Sequence, residues 1–163
     1  AFMTDHVDEA FLAACPRLRV IGCALKGADN FDLAACERRG VVVSVVPDLL
    51  TAPTAELAVG LLIGLGRHVR AGDALVRGGG FTGWRPILYG AGLDGATVGV
   101  LGFGRVGQAV AARLQGFGCR LLGHDAAAPA PPGVTAMPME ELLPVADAII
   151  LALPLTSATR HVL

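Results

Sequence analysis

The chain has 163 residues, of which 53% are hydrophobic and 17% charged, and its formal net charge is −1 at pH 7. This length allows one full domain or parts of two with a sizeable core. The basic residues are scattered, which argues against a nucleic-acid-binding protein, and the longest uncharged apolar run, residues 57–66, is too short for a membrane span of about 17–25 residues.

The first third of the chain alternates between helices and strands. The apolar pattern predicts a helix over residues 8–16, a buried strand over 18–25, a helix within 30–40 and a second strand over 41–46. Apolar strands that alternate with helices predict a parallel sheet that is covered on both faces.

A long helix is predicted next, with Thr54 as its N-cap and with no interruption as far as Val76. A helix of this length is suited to bridging two domains. Residues 78–95 contain turn signals, one Trp and one Tyr, and no clear period. They are therefore predicted to form a loop or arm.

A second α/β unit begins at Ala96. The predicted order is a strand over residues 97–102, a glycine turn, a helix over 105–118, a strand over 119–125, a proline-rich connector, a short helix near 139–146 and a strand over 147–155. The fold class is therefore α/β with a doubly wound parallel sheet.

The strongest motif is VGVLGFGRVG, in which Gly102, Gly104 and Gly107 form G-x-G-x-x-G between an apolar strand and an amphipathic helix. The first glycine permits a tight turn, the second lets the backbone approach a pyrophosphate, and the third lets helix and strand pack closely. The pyrophosphate would then meet the N-terminal N–H groups of the helix. The motif predicts a dinucleotide-binding turn.

Asp125 ends the next strand, eighteen residues after Gly107. A carboxylate at this position accepts hydrogen bonds from the adenosine ribose and repels a 2′-phosphate, and no arginine follows it. The sequence therefore favours NAD over NADP as the cofactor. The alternative is an α/β unit with glycine turns that binds no nucleotide.

Two further strand ends are candidate ligand sites. Leu153, Pro154 and Leu155 follow the last predicted strand and could line the nicotinamide half of the crevice, although a simple strand exit fits them equally well. Lys26 and Gly27 follow the strand over residues 18–25. A lysine in a turn is usually solvated, but a neighbouring glycine frees an N–H for an anion, so an oxyanion pocket is the alternative.

The four cysteines form no C-x-x-C pair, and no histidine lies near one at ligand spacing. We expect free thiols in a cytoplasmic protein and no metal site. The acidic first residues lack the basic start of a secretion signal, which agrees with that location.

Five segments together resemble one family: LRVIGCALKGADNFD, VPDLLTAPTAELAVGLLIGLGRH, GFTGWRP, VGVLGFGRVG and ALPLT. They resemble the D-isomer-specific 2-hydroxyacid dehydrogenases, and within that family most closely the phosphonate (phosphite) dehydrogenases. The resemblance covers nearly the whole chain. It implies that residues 1–48 are the C-terminal part of a flavodoxin-like substrate domain and that residues 49–163 are the N-terminal part of a Rossmann-type NAD-binding domain.

The resemblance also implies roles for individual residues on the substrate side. Lys26 would hold the oxyanion of phosphite, helped by the backbone of Leu25 and Gly27, and Met3 would lie near the same pocket. Most family members have a small residue such as Val or Ala in place of this lysine. The segment ALKGADNFD is therefore the feature that separates the subgroups.

On the cofactor side, the resemblance places Thr54 near the nicotinamide, Arg105 and Val106 in the turn around the pyrophosphate, and Asp125 on the ribose. The long helix and the arm that contains Trp84 resemble the elements that form the family's homodimer. The family's catalytic histidine, glutamate and arginine would lie beyond Leu163. The chain is therefore expected to be a fragment that contains no catalytic residue and no general base.

Three functions remain open on the sequence. The resemblance implies oxidation of phosphite to phosphate with hydride transfer to NAD. A D-2-hydroxyacid dehydrogenase similar to glyoxylate or hydroxypyruvate reductase is the first alternative, since a lysine attracts a carboxylate equally well. A non-catalytic NAD-sensing module is the second. The expected partner is a small anionic substrate, with neither a nucleic acid nor a membrane.

Overall fold

The computed structural model describes residues 5–163. They form two compact units, one containing the described residues up to 50 together with Pro154–Leu163, and the other Thr51–Leu153. The predicted division at residues 48 and 49 differs from these units chiefly in the last ten residues, which group with the first unit. The last strand of the sheet ends at Leu151, and the chain has left the sheet before Pro154, which has no N–H with which to extend a strand ladder. The assignment of the two units to a substrate and a cofactor domain stays a prediction.

The first unit contains two helices and two strands within the described residues. Aspartates begin both helices: a carboxylate oxygen of Asp8 accepts from the N–H of Phe11 at 2.8 Å, and one of Asp32 accepts from the N–H of Ala35 at 2.8 Å. The two strands pair in parallel. The elements are α1 (Glu9–Ala14), β1 (Val20–Gly22), α2 (Leu33–Arg38) and β2 (Val42–Ser44).

One face of the β1–β2 pair packs on the core of the first unit, where Leu12, Ile21 and Cys36 are buried. Val20 and Val42, which lie opposite each other in the register, are exposed. Within residues 5–163 the other face of this sheet is therefore open, and the prediction that both faces are covered stays a prediction for this unit.

The second unit opens with two helices, α3 (Thr51–Gly66) and α4 (Val69–Arg77). The prediction of one uninterrupted helix with Thr54 as its N-cap is wrong in two respects. The helix begins at Thr51, and Pro53 fits its first turn because N–H groups there need no partner within the helix. The helical run is broken at His68, which has φ 54° and ψ 34° in the left-handed region.

The arm of residues 78–95 contains no helix or strand, as predicted. Its backbone packs directly on the end of α3, since a Cβ at Gly90 would lie only 2.1 Å from the carbonyl oxygen of Gly66. Nε2 of His68 lies 3.0 Å from the carbonyl oxygen of Tyr89. Two glycines therefore permit a contact between main chains that side chains would prevent.

A four-stranded sheet forms the centre of the second unit, with all strands parallel in the order β5-β4-β3-β6. This order confirms the predicted doubly wound α/β fold. The prediction omitted β5, whose three residues are too few to show an apolar pattern. The elements after the arm are β3 (Thr97–Leu101), α5 (Arg105–Leu114), β4 (Arg120–His124), β5 (Val134–Ala136), α6 (Met139–Leu142) and β6 (Ala148–Leu151).

Helices cover both faces of this sheet. On one face, Val59 of α3 and Val110 of α5 belong to the same buried cluster as Val100 of β3. On the other face, Leu142 of α6 is buried with Leu101. All five residues of β3 are buried, as expected for the central strand of a covered parallel sheet.

No helix within residues 5–163 is long and apolar enough to cross a membrane. In the same part of the chain, no group of three or more His, Cys, Asp or Glu side chains could hold a metal ion. The thiols of all four cysteines are free.

Candidate cofactor-binding site

The glycine turn lies where the order of the strands reverses. The chain moves from β3 to β4 and β5 on one side and returns to β6 on the other, so the carboxyl ends of β3 and β6 are neighbours. Leu101 pairs with Leu151, and the N–H of Ala152 donates to the carbonyl oxygen of Leu101 at 2.8 Å. Open α/β sheets bind ligands in the crevice at this kind of position.

Two of the three motif glycines are required by packing. Gly102 has φ 99°, and a Cβ there would lie 2.6 Å from the carbonyl oxygen of Ala152. At Gly107, in the first turn of α5, a Cβ would lie 1.9 Å from the carbonyl oxygen of Gly102. These glycines let the turn bend sharply and let α5 approach the end of β3.

Gly104 is the exception, because no atom lies within 4 Å of a Cβ built at this position. It is exposed and is the N-cap of α5, to which it contributes no side chain. The N-terminal N–H groups of a helix have no partner within the helix and attract anions. The open space at Gly104 therefore fits a pyrophosphate that approaches the backbone closely.

Phe103, between the first two glycines, was missed by the sequence analysis. Its side chain is 1% exposed, and a Cβ at Gly123 of β4 would lie 2.1 Å from its Cζ. Its carbonyl oxygen accepts from Nε2 of Gln108 at 2.8 Å. The sequence signal for a buried ring here is an apolar residue between two glycines, followed by a further glycine in the next strand.

Asp125 uses both of its carboxylate oxygens for backbone hydrogen bonds. Oδ1 accepts from the N–H groups of Ala128 at 2.7 Å and Ala127 at 2.8 Å, and Oδ2 accepts from the N–H of Phe103 at 2.6 Å. The hydrogen bond from Ala128 and those from Phe103 and Ala127 lower the pKa of Asp125 from its usual value, against a smaller opposing effect of burial. Asp125 is therefore a carboxylate at neutral pH, at the end of β4 beside the glycine turn.

The other residues predicted for the cofactor site lie on α5, on α3 and beside the glycine turn. Arg105 and Val106 begin α5, Arg105 being exposed and Val106 packed against the core. Leu153 lies beside the turn, since its Cδ2 is 3.0 Å from the position of a Cβ at Gly102. Thr54 is exposed in the first turn of α3.

Pro154 and Leu155 belong by their contacts to the first unit, and Leu155 is exposed. Their predicted contact with the nicotinamide stays a prediction.

The residues predicted to hold an anion follow β1 in the first unit. Lys26 is exposed, whereas Leu25 packs against the core and its carbonyl oxygen accepts from the N–H of Val46 at 3.0 Å. Oδ1 of Asp29 lies 3.2 Å from the position of a Cβ at Gly27, so a carboxylate stands beside the predicted pocket. Met3 lies outside the described residues.

Comparison with known proteins identifies the family. A family model described as D-isomer specific 2-hydroxyacid dehydrogenase, NAD binding domain, matches residues 59–163. The chain belongs to this family. The resemblance at the level of the family is therefore confirmed, as is NAD as the cofactor.

Relatives in sequence match almost the whole chain. The glyoxylate reductase of Thermococcus litoralis is 38% identical over 170 residues, which cover 99% of this chain and 51% of the relative. The human glyoxylate reductase/hydroxypyruvate reductase is 40% identical over 165 residues, which cover 97% of this chain and 50% of the relative. The chain thus spans about half the length of the curated relatives it matches. These relatives are named as glyoxylate reductases and not as phosphonate dehydrogenases, so the subgroup within the family stays open.

Solved structures similar to this chain have the same fold. A Thermus thermophilus protein superposes with a TM-score of 0.90 at 40% identity, over 97% of this chain and 51% of its own. The D-lactate dehydrogenase of Aquifex aeolicus, crystallised with NAD and lactic acid, superposes with a TM-score of 0.88 at 28% identity. The match covers 97% of this chain and 48% of the dehydrogenase.

Proposed function

We propose that the protein is an NAD-dependent 2-hydroxyacid dehydrogenase that acts as a reductase of glyoxylate or a related small 2-oxo acid. The observation behind this proposal is a glycine turn with open space at Gly104, in a chain that matches glyoxylate reductases over nearly all its residues. NADH, when bound, supplies a hydride. Carbon 2 of the oxo acid gains the hydride and its oxygen gains a proton, which gives the 2-hydroxy acid and NAD.

The residues of the second unit would position the cofactor. The backbone at Gly104 and the N-terminus of α5 would face the pyrophosphate, because this end of the helix attracts negative charge. The carboxylate of Asp125 would accept from the ribose and disfavour a 2′-phosphate. Leu153, beside the turn, would present an apolar surface that excludes water from the crevice.

The substrate would be attracted by Lys26. Its side chain is exposed in the loop after β1, where a cation can attract the carboxylate of a small acid. Leu25 and Gly27 would contribute backbone groups. The carboxylate of Asp29, which packs on Gly27, lowers the net positive charge there. This favours a monoanion such as glyoxylate over a dianion.

Initial-rate measurements on the complete protein test this proposal. NADH oxidation should be measured with glyoxylate, hydroxypyruvate and pyruvate, and NAD reduction with phosphite. We expect one of the oxo acids to have the highest kcat/KM. A higher kcat/KM for phosphite than for every acid would refute the proposal. NAD binding without turnover of any of these compounds would instead favour an NAD-sensing module.

Phosphite oxidation is the second candidate, and Lys26 is the observation that favours it. A permanent positive charge replaces the small residue that most of the family has here, as implied by the resemblance to phosphonate dehydrogenases. The oxygen of water would bond to phosphorus while the P–H bond breaks and its hydrogen passes to NAD as hydride. The attacking water would also lose a proton, which gives phosphate and NADH. Turnover of phosphite that disappears in Lys26→Ala would support this candidate.

We also propose a homodimer that forms through α3 and the arm. Leu57, Leu61 and Leu65 are 63%, 63% and 78% exposed, and their spacing of four residues places them on one face of α3. Trp84 of the arm is 87% exposed. Light scattering should show a dimer that is weakened by Leu61→Asp and not by Val145→Asp, a matched change at an exposed valine near α6. A monomeric parent protein would refute the dimer.

A further inference from the structure

Phe103 makes two contacts between the glycine turn and the neighbouring strand β4, in addition to the hydrogen bond that the N–H of Gly102 donates to the carbonyl oxygen of His124 at 2.8 Å. The N–H of Phe103 donates to Oδ2 of Asp125 at 2.6 Å. The buried ring of Phe103 occupies the space above Gly123, where a Cβ would lie 2.1 Å from Cζ. The residue that precedes Gly104 is thus fixed by its backbone and by its side chain.

The hydrogen bonds of Asp125 leave little room for other donors. An ionised carboxylate can accept about four hydrogen bonds, two on each oxygen. The N–H groups of Ala127 and Ala128 occupy Oδ1, and the N–H of Phe103 takes one position on Oδ2. About one acceptor position therefore remains for the two hydroxyl groups of an adenosine ribose.

We propose that Asp125 is a positioning residue for the glycine turn. Through the N–H of Phe103 it fixes the backbone at Gly104, which faces the cofactor's pyrophosphate, and this role is separate from any contact with the ribose. The inference rests on NAD binding at this turn, but not on the substrate in the proposed function. Loss of the carboxylate should therefore weaken every ligand that has a pyrophosphate, including ligands without ribose hydroxyls.

Nucleotides with and without ribose hydroxyls separate the two roles. The affinities of the chain for NAD, ADP and 2′,3′-dideoxy-ADP should be measured by calorimetry for the parent, Asp125→Ala and Asp125→Asn. We expect Asp125→Ala to bind dideoxy-ADP about tenfold more weakly than the parent does. Asp125→Asn should retain part of the affinity, because its single amide oxygen can still accept from Phe103.

If Asp125 contacted only the ribose, its replacement by alanine would not weaken the affinity for dideoxy-ADP. Dideoxy-ADP has no hydroxyl for the carboxylate to accept from, so removal of a negative charge should leave its binding unchanged or make it tighter. Either of these results would overturn the inference. A failure of the protein to turn over any acid would leave these binding measurements unaffected, so the inference and the proposed function can fail separately.

A measurement on the unmodified protein keeps the inference testable if the Asp125 variants do not fold. In an NMR titration without ligand, the amide protons of Phe103, Ala127 and Ala128 should shift with one common midpoint, below the usual pKa of an aspartate. A Phe103 amide that does not titrate with the other two would show that it does not contact the carboxylate. That result would overturn the positioning role.

Discussion

Replacement of Gly107 by alanine tests whether the third glycine of the turn is required by packing. A Cβ at this position would lie 1.9 Å from the carbonyl oxygen of Gly102 and 2.9 Å from its carbonyl carbon. Both are backbone atoms, which cannot rotate away as a flexible side chain could. Overpacking lowers the free energy of unfolding by about 1–3 kcal/mol, and the rigid backbone at Gly102 places this site near the upper end of that range. The better helix propensity of alanine offsets about 1 kcal/mol of this loss.

We therefore expect Gly107→Ala to lower the free energy of unfolding by about 2 kcal/mol, which corresponds to a fall in Tm of about 4–8 °C. Thermal unfolding followed by circular dichroism measures the change. Gly116→Ala is the matched control, because no atom lies within 4 Å of a Cβ there. Its Tm should stay close to that of the parent. An equal Tm for Gly107→Ala would refute the packing argument.

Three further predictions concern binding and charge. Gly104→Ala should change Tm little, because the added Cβ has open space. It should weaken the affinity for NAD at least tenfold, because the methyl group fills the space through which the pyrophosphate approaches the backbone. An unchanged affinity in a fluorescence titration would contradict this prediction. Lys26→Ala should raise KM for the acid about tenfold while NAD affinity stays near normal, and an unaltered KM would exclude this lysine from the substrate site. The lowered pKa of Asp125 means that its stabilising contribution is present above the usual carboxyl pKa of 3.8 and is lost as the pH falls through its folded-state pKa. The difference in urea stability between the parent and Asp125→Asn should therefore shrink below about pH 4, and a growing difference would contradict the assignment.

The sequence predicted the second unit well because its motif has a strict physical meaning. Gly102 and Gly107 can be read from spacing alone, since each position excludes a side chain for a geometric reason. Asp125 was found through its distance from the turn. Its hydrogen bond to Phe103 could not be found in this way, because spacing places a residue at a strand end without saying which backbone groups it meets.

Other features depended on tertiary contacts that have no local pattern. The apolar pattern of α3 gives no sign that the helix is interrupted at His68. The interruption lies where the arm contacts the end of α3, and such a tertiary contact has no local sequence pattern. Thr54 is a good N-cap residue by type, yet the helix begins at Thr51 because Pro53 is as favourable in the first turn. Lys26 was recognised as unusual, but its residue type does not distinguish a carboxylate from phosphite.

The contact between Gly66 and Gly90 has a consequence for how the arm can change over evolutionary time. Because main chain meets main chain there, the attachment of the arm places no demand on side chains such as Trp84 and Tyr89, which are both strongly exposed. Those positions can diversify under selection for a new partner while the anchor stays intact. The glycine turn differs in this respect, because the addition of a single methyl group at Gly102 or Gly107 meets backbone.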